Sequence, residues 1–263
     1  MRKTNQASTI SQVITALEYI CRLTVVQIRQ SVKNYTFGIV WWLADPVINT
    51  VILYLVTVVV MGRRTQDTAV FLLVGLLMFR FLQTAISGAC TSIIPAIGLS
   101  NRLYIPKHAF VIRDVLAEML KLFIGILLLF MGISLFDIGH FSILQTLIVT
   151  FVAVLFTLAS ASIVALVTAI IPDFRLIVGY TFRALFFVSG TFFSLERVPE
   201  EWKNLFLMNP FALLMHELRI AMIYPDSLNL NLLGNLILIS LAMGVIGYFW
   251  LVRLDRSLPK YVL

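Results

Sequence analysis

The sequence predicts an all-α integral membrane protein with six transmembrane helices, and three observations predict it. Of the 263 residues, 60% are hydrophobic and only 13% charged, with a mean hydropathy of +0.97. A soluble domain is nearer 45–50% apolar and about 25% charged. Apolar runs of spanning length recur six times, and the segments joining them are short. A soluble core could not hide this much apolar surface, so the solvent of this chain is lipid.

The chain opens with a polar head, residues 1–36. It lacks the compact apolar core and small-residue cleavage site of a secretory signal, so the mature protein is expected to keep it. Within it Ile10, Val13, Ile14, Leu17, Cys21, Val25, Ile28 and Val32 follow helical spacing. Gln12, Glu18, Arg22, Arg29 and Lys33 fall mostly elsewhere on the wheel. That pattern predicts an amphipathic helix lying in the membrane interface, with packing on a partner as the alternative.

From residue 37 the chain reads as one transmembrane domain ending at 263. Spans are expected at about 37–61, 69–95, 109–135, 143–170, 176–194 and 230–252, since a crossing needs about 20 residues at 1.5 Å each. The connection at 98–108 is short and basic, with a helix boundary expected at Pro106. A second short turn, Ile171 to Arg175, separates spans four and five. Loops this short cannot build an enzyme site, but they can dock a partner. Residues 195–229 are the least regular part. Two apolar pieces, Trp202–Met208 and Phe211–Ile223, are too short to cross, and Asn209-Pro210 breaks them apart. They are expected as two half-helices dipping in from the periplasmic face, with a surface hairpin as the alternative.

Basic residues set the orientation. With six spans both termini share one side. Placing them in the cytoplasm puts Arg2, Lys3, Arg22, Arg29, Lys33, Arg102, Lys107, Arg113, Arg175, Arg253, Arg256 and Lys260 inside. Arg63, Arg64, Arg197, Lys203 and Arg219 then lie outside. The excess inside predicts cytoplasmic N- and C-termini. It also accounts for the net charge of +7 without a nucleic-acid partner.

No catalytic or metal site is expected. Cys21 and Cys90 have neither disulfide nor metal spacing, and His108, His140 and His216 are scattered. No GxxxxGK[ST] loop occurs, so this chain has no P-loop for ATP phosphates. No internal repeat is visible, which argues against an inverted-repeat carrier. Energy for transport would come from an ion gradient or from a partner ATPase.

Charges inside spans are costly and point to function. Asp45, Arg80, Asp114, Glu118, Lys121 and Arg183 are such charges. Asp114, Glu118 and Lys121 share one face of span three, where internal pairing is the favoured reading. Arg80 has no acidic neighbour in its own span. It either pairs across helices or faces a channel, where a cation would suit an anionic glycan or a lipid phosphate. Trp41 and Trp42 sit at the start of span one, and with Tyr54 and Tyr180 they could stack on sugar faces. Interface anchoring or packing is the alternative.

Four stretches carry a family resemblance. They are Tyr35 to Gly38 running through Trp41-Trp42 to Asp45-Pro46; Val70 to Gly75; Asn101-Arg102-Leu103-Tyr104-Ile105-Pro106-Lys107; and Gly190 to Ser194, with Val198-Pro199 and then Asn209-Pro210. In order and spacing the chain resembles the permeases of ABC exporters that move capsular polysaccharide, O-antigen or teichoic acid. The resemblance implies a bacterial inner-membrane homodimer forming a continuous channel. It implies two cytosolic ATPase subunits, which hold ATP and Mg²⁺ while this chain holds no cofactor. It assigns ATPase coupling to Asn101, Arg102, Tyr104, Pro106, Lys107, Arg22 and Arg29. It assigns a periplasmic gate to Pro199, Trp202, Asn209 and Pro210. Read from the residues themselves, Arg80, Tyr54, Tyr180, Arg183, Trp41 and Trp42 are the channel- or substrate-lining candidates. The substrate would be a lipid-linked glycan, handed on to periplasmic and outer-membrane export proteins. Capsule export is preferred over O-antigen, since no added glycan-binding domain is present. Arg80 departs from the apolar or proline residue expected at its position. Competing readings are an ion-coupled carrier using Asp114, Glu118 and Lys121, an ABC permease for a lipid, drug or other small molecule, and a membrane scaffold.

Overall fold

The computed structural model describes residues 18–30, 32, 38, 40–60, 62, 68–100, 108–136, 141–224 and 227–254, with side chains at all of these except 43, 94–100, 136 and 254. The described part of the head, residues 18–30, is helix α1. Then follow α2 (Val40–Tyr54), which runs on as a π-helical turn over Leu55–Val60, α3 (Thr68–Ser100), α4 (His108–Phe136) and α5 (Ile143–Ile170). The remaining helices are α6 (Phe174–Val188), α7 (Glu200–Met208), α8 (Pro210–Met222) and α9 (Leu230–Leu254). No strand occurs among the described residues. The expected all-helical class holds.

Five stretches are long and apolar enough to cross a bilayer: Val40–Val60, Thr68–Ile93, His108–Leu135, Ile143–Ile170 and Leu230–Arg253. They match the expected first four spans and the last. The fifth expected span, 176–194, is corrected. Helix α6 stops at Val188 after 15 residues, or about 22 Å of rise. Gly190 reverses the chain at φ +73°, and a Cβ there would stand 2.7 Å from the Phe206 ring. Helices α7 and α8 meet at a bend of 100° and together form a sixth candidate crossing or a re-entrant loop.

Helix α3 is the axis of the bundle. It packs against α2, α4, α5, α6 and α8, while α5 is wedged between α3 and α9. Val74, Met78 and Leu82 of α3 join one buried cluster with Val149 and Val152 of α5, Leu214 and Leu218 of α8, and Leu233 of α9. Helices α5 and α9 approach closely through small residues: a Cβ on Gly247 would lie 3.0 Å from the Ser162 Cβ. Such contacts let backbones close up where lipid supplies no hydrophobic drive.

The outer faces are apolar instead of charged. Val47, Ile48, Val51 and Ile52 of α2, Phe123 and Met131 of α4, and Val245, Ile246 and Phe249 of α9 are all exposed. Water would penalise that surface and lipid does not. The hydroxyls inside the bundle follow the same logic. Thr157, Ser162, Thr168 and Ser240 each donate to the carbonyl four residues back, which satisfies a polar group without a partner helix.

Candidate functional site: a charged chamber between α2, α3 and α4

Helix α2 carries Pro46, which donates no backbone hydrogen bond and unsettles the local ladder. Two side chains add hydrogen bonds in the turn that follows. The Asn49 amide donates to the Asp45 carbonyl at 2.7 Å, and the Thr50 hydroxyl to the Pro46 carbonyl at 2.8 Å. The Asn49 amide also reaches the Asp45 carboxylate at 3.2 Å. Asp45 is thereby held towards α3, where its carboxylate forms an ion pair with the Arg80 guanidinium. Of the two readings of Arg80, the cross-helix pair is the one observed.

The pair lines a cavity of about 430 Å³ bounded by α2, α3 and α4. Trp41 and Trp42 form one wall and Leu77, Phe81 and Leu122 contribute apolar surface. The far wall is α4. Lys121 donates to the Glu118 carboxylate at 2.5 Å, and the second Glu118 oxygen accepts from the Thr84 hydroxyl at 2.9 Å. The Lys121 ammonium also sits 5.3 Å from the centre of the Trp42 ring, within cation–π range. Two cations and two carboxylates thus face one chamber, each paired. In a low-dielectric bundle this arrangement avoids an isolated charge and still presents donors and acceptors to a guest.

Trp41, Trp42, Arg80, Glu118 and Lys121 are therefore gathered at one site. Asp114 is not among them. It lies a turn away, bonded at 2.9 and 2.7 Å by the neighbouring Arg113, whose guanidinium stands 5.2 Å from the Phe110 ring. The internal pairing expected on span three is observed between Glu118 and Lys121, while Asp114 pairs with the neighbouring Arg113. Tyr54, Tyr180 and Arg183 do not line the chamber. Tyr180 is exposed on α6, with the Arg183 guanidinium 5.3 Å from its ring.

The gate candidates assemble elsewhere. Pro199, Trp202 and Asn209 line a cavity of about 400 Å³ with Phe193 and Phe206. Asn209 caps α8: its side-chain oxygen accepts from the Phe211 N–H at 3.0 Å, and its amide donates to the Ser189 hydroxyl at 3.0 Å. Pro210 takes the first position of α8, where its missing N–H costs nothing. The Asn-Pro break is thus a helix start tied to the end of α6. Among the coupling candidates, Arg22 and Arg29 are exposed on α1, and Arg22 pairs with Glu18 at 2.7 Å. On the same helix Tyr19 packs against Phe110 of α4, while Cys21 and Val25 of the expected apolar face stay exposed. Asn101, Arg102, Tyr104, Pro106 and Lys107 lie outside the described residues.

Sequence reasoning missed a further cation, buried outside the chamber. Arg219 was counted with the outside loop charges, yet it is 4% exposed. Its guanidinium donates to the carbonyls of Phe71 (3.2 Å), Gly190 (2.8 Å) and Thr191 (2.8 Å) and covers the Phe71 ring at 3.6 Å. Two positions earlier, Glu217 is 1% exposed and accepts the Asn229 N–H at 3.1 Å. The available signal was an arginine and a glutamate inside the apolar run 210–222.

An all-helical bundle with lipid-compatible outer faces defines a polytopic membrane protein, here with a charge-lined chamber between α2, α3 and α4. No family model matches the chain. It is similar to the polysialic acid transport protein KpsM of Escherichia coli, at 25% identity over 232 residues, covering 84% of this chain and 89% of that protein. A second Escherichia coli KpsM sequence is 26% identical over the same coverage. The likeness spans nearly the whole chain, and the resemblance to polysaccharide-export permeases drawn from four short motifs stands on it.

Proposed function

We propose that this chain is the membrane-spanning permease of an ATP-driven exporter that moves a lipid-linked polysaccharide, capsular by preference, out of the cytoplasm across the bacterial inner membrane. The observation that carries this is the match to a polysialic acid transport protein over 84% of the chain. The absence of a P-loop fits a separate ATPase that holds the ATP and Mg²⁺.

In this reading two copies form the channel. The outer faces of α2 and α6 carry exposed Ile48, Val51, Leu176, Ile177 and Tyr180, which would be covered by the second copy, by lipid or by the glycan. Tyr180 with Arg183 supplies an aromatic and cationic face suited to a sugar chain. The bent pair α7–α8 is the periplasmic gate, and Pro199, Trp202, Asn209 and Pro210 shape its turn. The ATPase docks on the interfacial head helix through Arg22 and Arg29, and on the loop holding Asn101, Arg102, Tyr104, Pro106 and Lys107. Both termini lie in the cytoplasm, and the glycan leaves towards periplasmic and outer-membrane export proteins.

The test is deletion of the gene with analysis of the glycan retained in the cell, followed by purification of the chain with its ATPase. Intracellular accumulation of a lipid-linked glycan, restored to export by the wild-type chain but not by Arg102→Glu with Lys107→Glu, is the expected result. Transport in vesicles driven by a proton gradient without ATP would overturn the proposal in favour of an ion-coupled carrier.

A further inference from the structure

The charged chamber is one of two neighbouring cavities. It adjoins a second cavity of about 270 Å³, and the two share Trp42, Pro46 and Leu77 as their common wall. The second cavity is apolar, bounded by Val47, Leu73, Leu128, Gly132 and Ile133. The polar wall uses α4 residues 118–122 and the apolar wall residues 125–133, so the axis from polar to apolar runs along the helices. A polar compartment lying end to end with a greasy one has the shape of a site for an amphiphile.

We infer that this double cavity binds one membrane phospholipid with a zwitterionic head, a phosphate and an ammonium, and with an acyl chain lying along α4. The charge pattern selects that head. Arg80 and Lys121 can face a phosphate, and Asp45 and Glu118 an ammonium, so both signs are met and the chamber stays neutral. An anionic head would leave two carboxylates facing it. Trp42 stands at the junction of the two compartments, the place an indole prefers between polar and apolar surroundings. Gly132 forms part of the apolar wall with nothing within 4 Å of where its Cβ would be, which leaves that wall open to a chain. This site does not depend on the export reading and holds for any cargo.

The test is native mass spectrometry of the full-length chain, delipidated in detergent and titrated with either phosphatidylethanolamine or phosphatidylglycerol of identical acyl chains. One phosphatidylethanolamine per chain should be retained, at least about tenfold more tightly than phosphatidylglycerol. Gly132→Phe adds bulk where no protein atom stands. It should leave helix content and size-exclusion profile unchanged and weaken phosphatidylethanolamine retention by about tenfold or more. Glu118→Gln, which removes a carboxylate assigned to the ammonium, should reduce the preference between the two lipids. Equal retention of both lipids, tighter retention of phosphatidylglycerol, or a folded Gly132→Phe chain that binds as the wild type does would each overturn the inference.

Discussion

The guanidinium of Arg219 fills the space that a side chain at Gly75 would need. A Cβ on Gly75 would lie 2.8 Å from the Arg219 Cζ. This one glycine lets a buried cation from α8 reach across α3 to three backbone carbonyls, those of Phe71 on α3 and of Gly190 and Thr191 in the turn after α6. The α6–α8 segment and α3 are fastened at that point.

Gly75→Ala is therefore expected to push the guanidinium off its acceptors. The unfolding midpoint in detergent should fall, by on the order of 1–3 kcal/mol of stability for orphaned buried groups. Arg219→Met should cost a similar amount, and the double variant should cost less than the sum, since both changes break the same contacts. A Gly75→Ala protein as stable as the wild type would refute the fastening.

Asp45→Asn should remove the carboxylate that pairs with Arg80. The two side chains are 42% and 38% exposed, so the cost should fall below the ~3–5 kcal/mol of a fully buried broken pair. Adding Arg80→Leu to Asp45→Asn should cost less than the sum of the two single changes, because both break the same ion pair. Thermal unfolding of the two single variants and the double checks this; strictly additive losses would show that the pair is not coupled.

Thr84→Val keeps the side-chain volume and deletes the hydroxyl that bridges the Arg80 carbonyl and Glu118. One hydrogen bond between α3 and α4 is lost, and the expected cost is ~1 kcal/mol. The same measurement applies, and no change would place Glu118 under the control of Lys121 alone.

At the head of α8, Asn209→Ala should cost about 0.5–2 kcal/mol as a lost helix cap. Asn209→Asp keeps the acceptor for the Phe211 N–H but loses the donor to Ser189. If the tie to α6 matters for transport more than the cap does, Asn209→Asp and Ser189→Ala should both impair glycan export while remaining near wild-type stability. Normal export by both would confine Asn209 to capping.

Most of the architecture was legible because a spanning helix writes its length into its composition. The first four spans and the last needed only counting. The fifth did not, since the apolar run Phe186 to Phe193 continues past the end of α6 and only the left-handed Gly190 marks the stop. Asn209-Pro210 was readable as a break, but its bond to Ser189, 20 residues earlier, was not. Arg80 was recognisable as a cation needing a partner, and Asp45 was already noted. Nothing along one chain says that two helices face each other at that register.

Sequence alone determined that this protein lives in lipid, that it is helical, and that its chain breaks at Asn209-Pro210, because each of these depends on apolar length and on local proline and capping chemistry. The tertiary structure decided which charges meet: Asp45 with Arg80, Glu118 with Lys121 and Thr84, and Arg219 with the backbone beside Gly75. The physical reason is that ionic partners are chosen by distance in space, and in a bilayer, where an unpaired charge is costly, the packing of the helices sets that distance.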